Sequence, residues 1–383
     1  MVAIPRDGID MAQQILRQRL RNQLLTPSSM SPTTVAKTVG HLCAVQAQDF
    51  GQAVWALGVR TPGAVRGDVL DALASGAVVR TAPMRGTLHF VAAQDLRWML
   101  ALTSARTLSA AATSHRRSGL DQATFDRAAD VARAELSGGN ALSRDQFVKA
   151  LNRAGITTDG QRAYHLIFGL VQRALLCWGP PGGNQQALVL TDEWIPASPS
   201  AGTADDLVLP ANRPRAVGEF LLRYLAGHGP ATVKDFLWWS KLTVADVKSG
   251  LESAEDNVVR TKRGDSIYLD AVGSAIETGG GSLRDARSVL LLPGFDEFLL
   301  GYQDRSLLLA EGYAARIAPG KNGILLPMVV ADGRVKGTWR RGSPADPTLT
   351  VDLFEPLDSQ QDAALRVAKD EYAGFIPRTD ELR

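Results

Sequence analysis

The sequence holds only two cysteines, Cys43 and Cys177. That excludes a disulfide scaffold and a cysteine-rich zinc site. Its five histidines (His41, His89, His115, His165 and His228) stand apart, with no pair at metal-ligand spacing. No apolar run nears the ~18 residues that would span a bilayer. The first thirty residues lack the apolar core of a signal peptide, because Met11–Arg17 reads as a charged helical stretch. There is no Walker loop and no Gly-x-Ser-x-Gly elbow, and Gly279-Gly280-Gly281 joins no strand to a helix. These gaps leave a chain expected to need no metal and no cofactor, to carry no membrane anchor and to reside in the cytoplasm.

What is present fits a globular protein. A chain of 383 residues that is 45% hydrophobic and 21% charged predicts two or three domains with real cores. The net charge is only +2, but it is unevenly spread. Residues 1–120 carry +7, 121–203 carry −1, 204–285 carry −2, 286–343 carry +3 and 344–383 carry −5. Two basic blocks far apart in sequence point to a polyanionic partner, with chance drift of surface charge as the plain alternative. If the partner is a duplex, the two basic blocks should face each other across one cleft and the acidic tail should turn away.

Local patterns repeat. An Arg-rich helix is expected at 8–25, a second at 32–44 with Ser31 as cap and Pro32 at its first position, and a third apolar segment at 53–59. A short helix at 68–75 follows, then strands at 78–81 and 86–91 joined by Ala82–Arg85. Helix, helix, helix and hairpin is the order of a winged helix-turn-helix. After a helical stretch from 95 to about 134, the order returns: helices from Ser143 and over 160–174, then a hairpin across Pro180–Gly183. It returns again with helices at 216–228, 232–240 and 243–252 and a hairpin across Lys262–Asp265. The last hundred residues read as β-rich, with strands at 288–293, 315–317, 323–328, 329–331 and 335–339, a hairpin turn at Asp332-Gly333 and a final helix at 360–372. The fold class is therefore α+β: three tandem winged units (1–135, 136–200 and 204–275) and a β-rich part (286–383).

Few residues invite chemistry. Asp296, Glu297 and Asp304 cluster near a strand end, where structuring a turn or holding Arg305 is the expectation ahead of acid–base work. His89 reads as a buried strand histidine. Gln46-Ala47-Gln48 is the unusual feature. In a helix, residues two apart point in nearly opposite directions, so both amides can serve one substrate only if the segment is extended or ends a helix. The bland alternative is a polar pair that caps a helix.

Val45-Gln46-Ala47-Gln48-Asp49 followed by Ala53–Leu57 resembles the Gln-x-Gln motif of the AlkZ-like DNA glycosylases, a family of bacterial proteins related to YcaQ. Arg80-Thr81 with Met84–His89 resembles that family's first wing. Gly227–Thr232 with Trp238-Trp239-Ser240 resembles its third helix-turn-helix, and Leu292–Tyr302 with Asp304-Arg305 resembles its C-terminal signature. Pro319–Gly323 and Val335–Trp339 fit as well. The ordered set covers roughly residues 10–345.

The resemblance implies winged units around a concave basic cleft and an enzyme that removes alkylated purines, bulky N7-guanine adducts and interstrand crosslinks included, some members serving in toxin self-resistance. It implies Gln46 and Gln48 as catalytic residues, where YcaQ-type relatives carry Asp at the second position. Arg80 and Arg85 become phosphate contacts, and Lys321 and Asn322 a hairpin tip that probes the duplex, with Asp332-Gly333-Arg334 as the competing tip. Lys336, Asp49 and His89 complete the expected DNA-binding set. The expected partner is double-stranded DNA with alkylated bases, the expected state a monomer. A winged-helix transcription regulator without chemistry is the alternative function, and a protein–protein scaffold a third.

Overall fold

Signals written into short stretches of chain decide most element boundaries. The computed structural model describes residues 6–26, 32–182, 185–195, 210–274, 288–320, 323–342 and 348–376. The helical stretch expected over 95–134 is two helices, Leu96–Arg117 and Gln122–Leu136. Gly119 breaks it at φ +62°, and Asp121 restarts it by accepting the Thr124 N–H at 2.8 Å. Ser143 and Gln146 cap the next helix reciprocally. The second helix begins later than expected, at Val35, with Thr34 as its cap; Ser31 lies outside the described residues.

The fold is a mixture of helices and small antiparallel sheets, in two compact units that are each discontinuous in sequence. One comprises Met1–Val69, Leu221–Trp239 and Ala254–Arg383; the other comprises Leu70–Phe220 and Ser240–Ser253. These units and the sequential segments read from the sequence are different divisions of the chain.

In the second unit, strands Thr87–Ala92, Val78–Met84, Leu176–Gly182 and Gln185–Leu190 lie side by side in that order. The first hairpin turns at Arg85-Gly86, both with positive φ, rather than across Ala82–Arg85. Pro83 does not end its strand, because the register slips between Thr81 and Met84 and absorbs it. Pro180 is absorbed in the same way between Trp178 and Pro181. Helices Gln122–Leu136, Arg144–Arg153 and Arg162–Gln172 close over the second hairpin with Phe125, Ala132, Leu136, Phe147, Leu166, Leu170, Leu176 and Leu188 in one core.

In the first unit, strands Leu349–Leu353, Arg334–Arg341, Met328–Ala331 and Val289–Leu292 form a sheet in that order. The final helix, Ser359–Phe375, packs on the Val289–Leu292 edge. Tyr372 meets the Trp55 ring edge-on at 5.0 Å and the Trp339 ring at 4.9 Å, and Phe375 lies 5.1 Å from Trp55. Each such aromatic pair contributes about 1 kcal/mol beyond its buried area. Gly58 lets the Phe375 ring close in, since a Cβ there would stand 2.4 Å from it. The acidic tail helix is therefore part of this unit's core. A separate hairpin pairs Val258–Arg263 with Ser266–Ala271.

Two β expectations change and one strand is added. Residues 315–317 lie in a single helical turn, Ala314–Ile317, since so short an apolar run carries no period that separates strand from helix. The strand expected from Gly323 begins only at Met328, after Pro327, which has no N–H for a ladder. Leu349–Leu353, with Pro347 just before it and alternating Thr350 and Asp352, is a strand that the sequence pattern did not announce.

Candidate active site

Gln46 and Gln48 sit where the chain cannot be helical. The helix Val35–Leu42 ends at Cys43 with φ +66°, Val45–Gln46 is extended, and Asp49 caps the helix Phe50–Gly58 by accepting the Gln52 N–H at 3.1 Å. Gln46 is thus extended and Gln48 lies in a bend just before the next helix, so a helical 200° separation of the two amides does not apply. Gln46 is 8% exposed, Ala47 is buried and Gln48 is exposed. Asp49 is exposed too, with its carboxylate engaged in the cap.

Beneath this segment runs the stretch Leu291–Glu297. Trp55 Nε1 donates to the Leu291 carbonyl at 2.7 Å, the Gly294 N–H donates to Gln52 Oε1 at 2.9 Å, and the Gln46 N–H donates to Glu297 Oε1 at 3.1 Å. Trp239 Nε1 donates to the other oxygen of Glu297 at 2.8 Å. Asp296 caps the turn Glu297–Leu300 and forks onto Arg60 at 2.6 and 2.8 Å. The carboxylates near this strand end do structure a turn, but the arginine they hold is Arg60; Arg305 instead donates to the Leu299 carbonyl at 2.8 Å.

Burial shapes the titrating groups nearby. Tyr302 donates to the His228 carbonyl at 2.8 Å and lies under the Arg19 guanidinium, 3.7 Å from its centroid. Burial pushes its phenol up to about 12, so it stays a neutral donor. Desolvation lowers the pKa of His41, against a hydrogen bond of 2.7 Å to the Asn22 carbonyl that raises it.

A family model of DNA glycosylase AlkZ-like proteins matches residues 39–375. The chain belongs to the AlkZ-like family. A relative named interstrand DNA cross-link repair glycosylase, from Streptomyces sahachiroi, is 26% identical over 390 residues, covering 95% of this chain and 98% of that one. The solved structure of Streptomyces sahachiroi DNA glycosylase AlkZ shares the fold, with a TM-score of 0.75 at 23% identity and coverage of 95% and 96%.

The other residues marked in this AlkZ-like sequence fall into distinct settings. On the first wing, Arg80 is 8% exposed and reaches Gln186 Oε1 at 3.5 Å, so it is packed into the sheet with little surface for a phosphate. Arg85 is half-buried at the turn and donates to His89 Nε2 at 2.8 Å. His89 Nδ1 lies 2.9 Å from the Thr87 carbonyl. A guanidinium cannot accept and a carbonyl cannot donate, so the ring is the neutral tautomer protonated at Nδ1. His89 is fully buried; it holds Arg85 and offers no surface to DNA.

Lys321 and Asn322 lie outside the described residues. The competing tip does not project. A Cβ on Gly333 would lie 3.3 Å from Leu20 and 3.4 Å from Leu16, and Gln361 ties down the Asp332 carboxylate at 2.8 Å. Arg334 is exposed, whereas Lys336 is half-buried and paired with Glu355. Among the described residues no group of three or more His, Cys, Asp or Glu could hold a metal, and no helix is long and apolar enough to cross a membrane. Arg60 is a site residue that the motif reading passed over, and Trp239 and Glu297, which lie within the matched motifs, were given no role beside the Gln pair. The one signal for them was polar or charged residues set in apolar runs, as in Leu57-Gly58-Val59-Arg60 and Phe295–Leu300.

Proposed function

We propose that this AlkZ-like protein is a monofunctional DNA glycosylase that excises N7-alkylated purines from duplex DNA, bulky adducts and crosslinks included. N7 alkylation makes guanine cationic, so the base departs without prior protonation. As the C1′–N9 bond breaks, its electron pair neutralises the base and positive charge develops on the sugar, as in glycoside hydrolysis. What remains is to place a water against C1′ and favour that charge. The carbonyl oxygens of Gln46 and Gln48 accept hydrogen bonds from such a water and turn their dipoles toward the sugar. An amide is too weak a base to take the proton, which passes to solvent once the C1′–O bond has formed. No lysine adjoins the motif, so no Schiff base and no strand cleavage are expected.

The observation that carries this reading is the non-helical Gln46-Ala47-Gln48 segment, extended at Gln46 and bent at Gln48 between two helices, with its second amide exposed. The test incubates purified protein with DNA carrying N7-methylguanine, and separately with a bulkier N7-guanine adduct, and quantifies the freed base. Release should occur, faster for the bulkier adduct, and Gln46→Ala with Gln48→Ala should slow it by about 10²-fold or more. Absence of release from both substrates overturns the proposal, as does a double variant as active as the parent.

A further inference from the structure

Glu297 is 1% exposed, and a carboxylate is an expensive group to bury. A backbone carbonyl would satisfy the Gln46 N–H at lower cost. What the carboxylate adds is two acceptors on one rigid plane, and both are used. Oε1 takes the Gln46 N–H and Oε2 takes Trp239 Nε1–H. Trp239 is itself immobilised, with Tyr224, Phe236 and His228 rings 5.0, 6.5 and 5.3 Å from its own. The peptide from which the Gln46 side chain springs is thereby fixed to an aromatic core.

The fixation has a pattern. Gln46, Gln52 and Trp55 bond in turn to Glu297, Gly294 and Leu291, so the segment is held at three points by one stretch running the opposite way. Two of these points lie on the helix Phe50–Gly58; Glu297 alone of the three grips the Gln-x-Gln segment itself.

We infer that Glu297 is a positioning residue for catalysis, which sets the angle at which Gln46 presents its amide to the attacking water. This rests on the glycosylase reading above. Glu297 is 251 positions from Gln46 in sequence and acts through the backbone, touching neither water nor sugar.

Hydrogen-bond stoichiometry supplies the test. Glu297→Gln keeps one acceptor oxygen for two N–H donors, so the Gln46 and Trp239 bonds compete. Trp239→Phe removes one donor. His228 Nδ1 lies 3.2 Å from the Tyr224 carbonyl, and its Nε2 lies 3.5 Å from Glu297 Oε2. In the double variant E297Q/W239F, the glutamine NH₂ can turn to His228 and its oxygen to Gln46. The double variant should therefore recover what E297Q loses.

Two readouts are needed on the full chain. One is hydrogen exchange of the backbone over residues 44–49, followed by mass spectrometry. The other is the single-turnover rate of base release beside the Kd for DNA. E297Q should exchange faster over 44–49 and release base about 10- to 100-fold more slowly, with Kd within about twofold of the parent. E297Q/W239F should regain protection and at least tenfold in rate. Glu297→Asp, an acid one methylene too short, should behave like E297Q and offers a second folded variant. Unchanged exchange over 44–49 in both E297Q and Glu297→Asp overturns the inference. So does a rate that falls only in step with DNA affinity, or a double variant no better than E297Q. If the parent releases no base while exchange responds as expected, the glycosylase reading fails and the hold of Glu297 on Gln46 stands.

Discussion

Arg60 and Asp296 form a forked ion pair, at 2.6 and 2.8 Å, with side chains 1% and 0% exposed. The remaining guanidinium N–H groups donate to the Gln23 carbonyl, to Gln23 Oε1 and to the Ala56 carbonyl, so all five are engaged. The pair ties the end of the helix after Gln48 to the cap of the turn that begins with Glu297.

Breaking it should be costly. Arg60→Met leaves a buried carboxylate without its cation, and a loss of roughly 3–5 kcal/mol is expected. Arg60→Lys should recover little, because a compact ammonium has three donors and cannot fork onto both oxygens. Urea unfolding followed by tryptophan fluorescence reads both variants. A midpoint for Arg60→Met equal to the parent's would contradict the assignment.

The first wing yields a prediction about DNA. Among its marked residues, Arg85 is the one that is only half-buried, and it donates to His89. If it meets a phosphate, Arg85→Ala should weaken binding at every sequence and flatten the slope of log K against log salt by about 0.9. His89→Phe keeps the charge but removes one hold on the arginine, so affinity should fall while the slope holds. Titrations at several salt concentrations decide this, and an unaltered slope in Arg85→Ala removes Arg85 from the interface.

His41 makes stability depend on pH. Burial holds its pKa below 6.5, chiefly by desolvation, with a smaller push from His228 and against the Asn22 bond. The unfolded chain therefore binds a proton before the folded one does. Stability is lost as pH falls from 6.5 through the lowered value, and is fully present above 6.5. The stability difference between pH 7.5 and pH 5.5 should shrink in His41→Gln, measured by urea unfolding at both values. An equal difference in the two proteins would assign the dependence elsewhere; His115, also lowered by burial, is the next group to vary.

Local signals were legible and long-range partners were not. Ser143 caps its own helix within three residues, so that boundary was legible in the chain, and the Asp332-Gly333 turn announced itself by residue type. The demand that two amides share a task asked for a segment extended or at a helix end, and the segment is non-helical, extended at Gln46 and bent at Gln48. By contrast, the pairing of Asp296 with Arg60 rather than nearby Arg305 spans 236 positions, and nothing local distinguishes the two arginines. The burial of Arg80 had the same origin, since alternation along one strand does not tell which face a second hairpin will cover, whereas that of His89 was legible from its place in a strand.

The bond between Gln46 and Glu297 also sets an order of events in the cell. A ribosome adding ~5–20 residues per second needs roughly 10 to 50 s to travel from one to the other. Until then the Gln-x-Gln segment has been made but lacks its Glu297 anchor, and the Trp55 ring waits longer still for Tyr372 and Phe375. A nascent chain is therefore a chain without an assembled site. A message cut short before its last helix would yield protein that carries every motif residue and the Glu297 anchor but leaves the Trp55 ring without Tyr372 and Phe375.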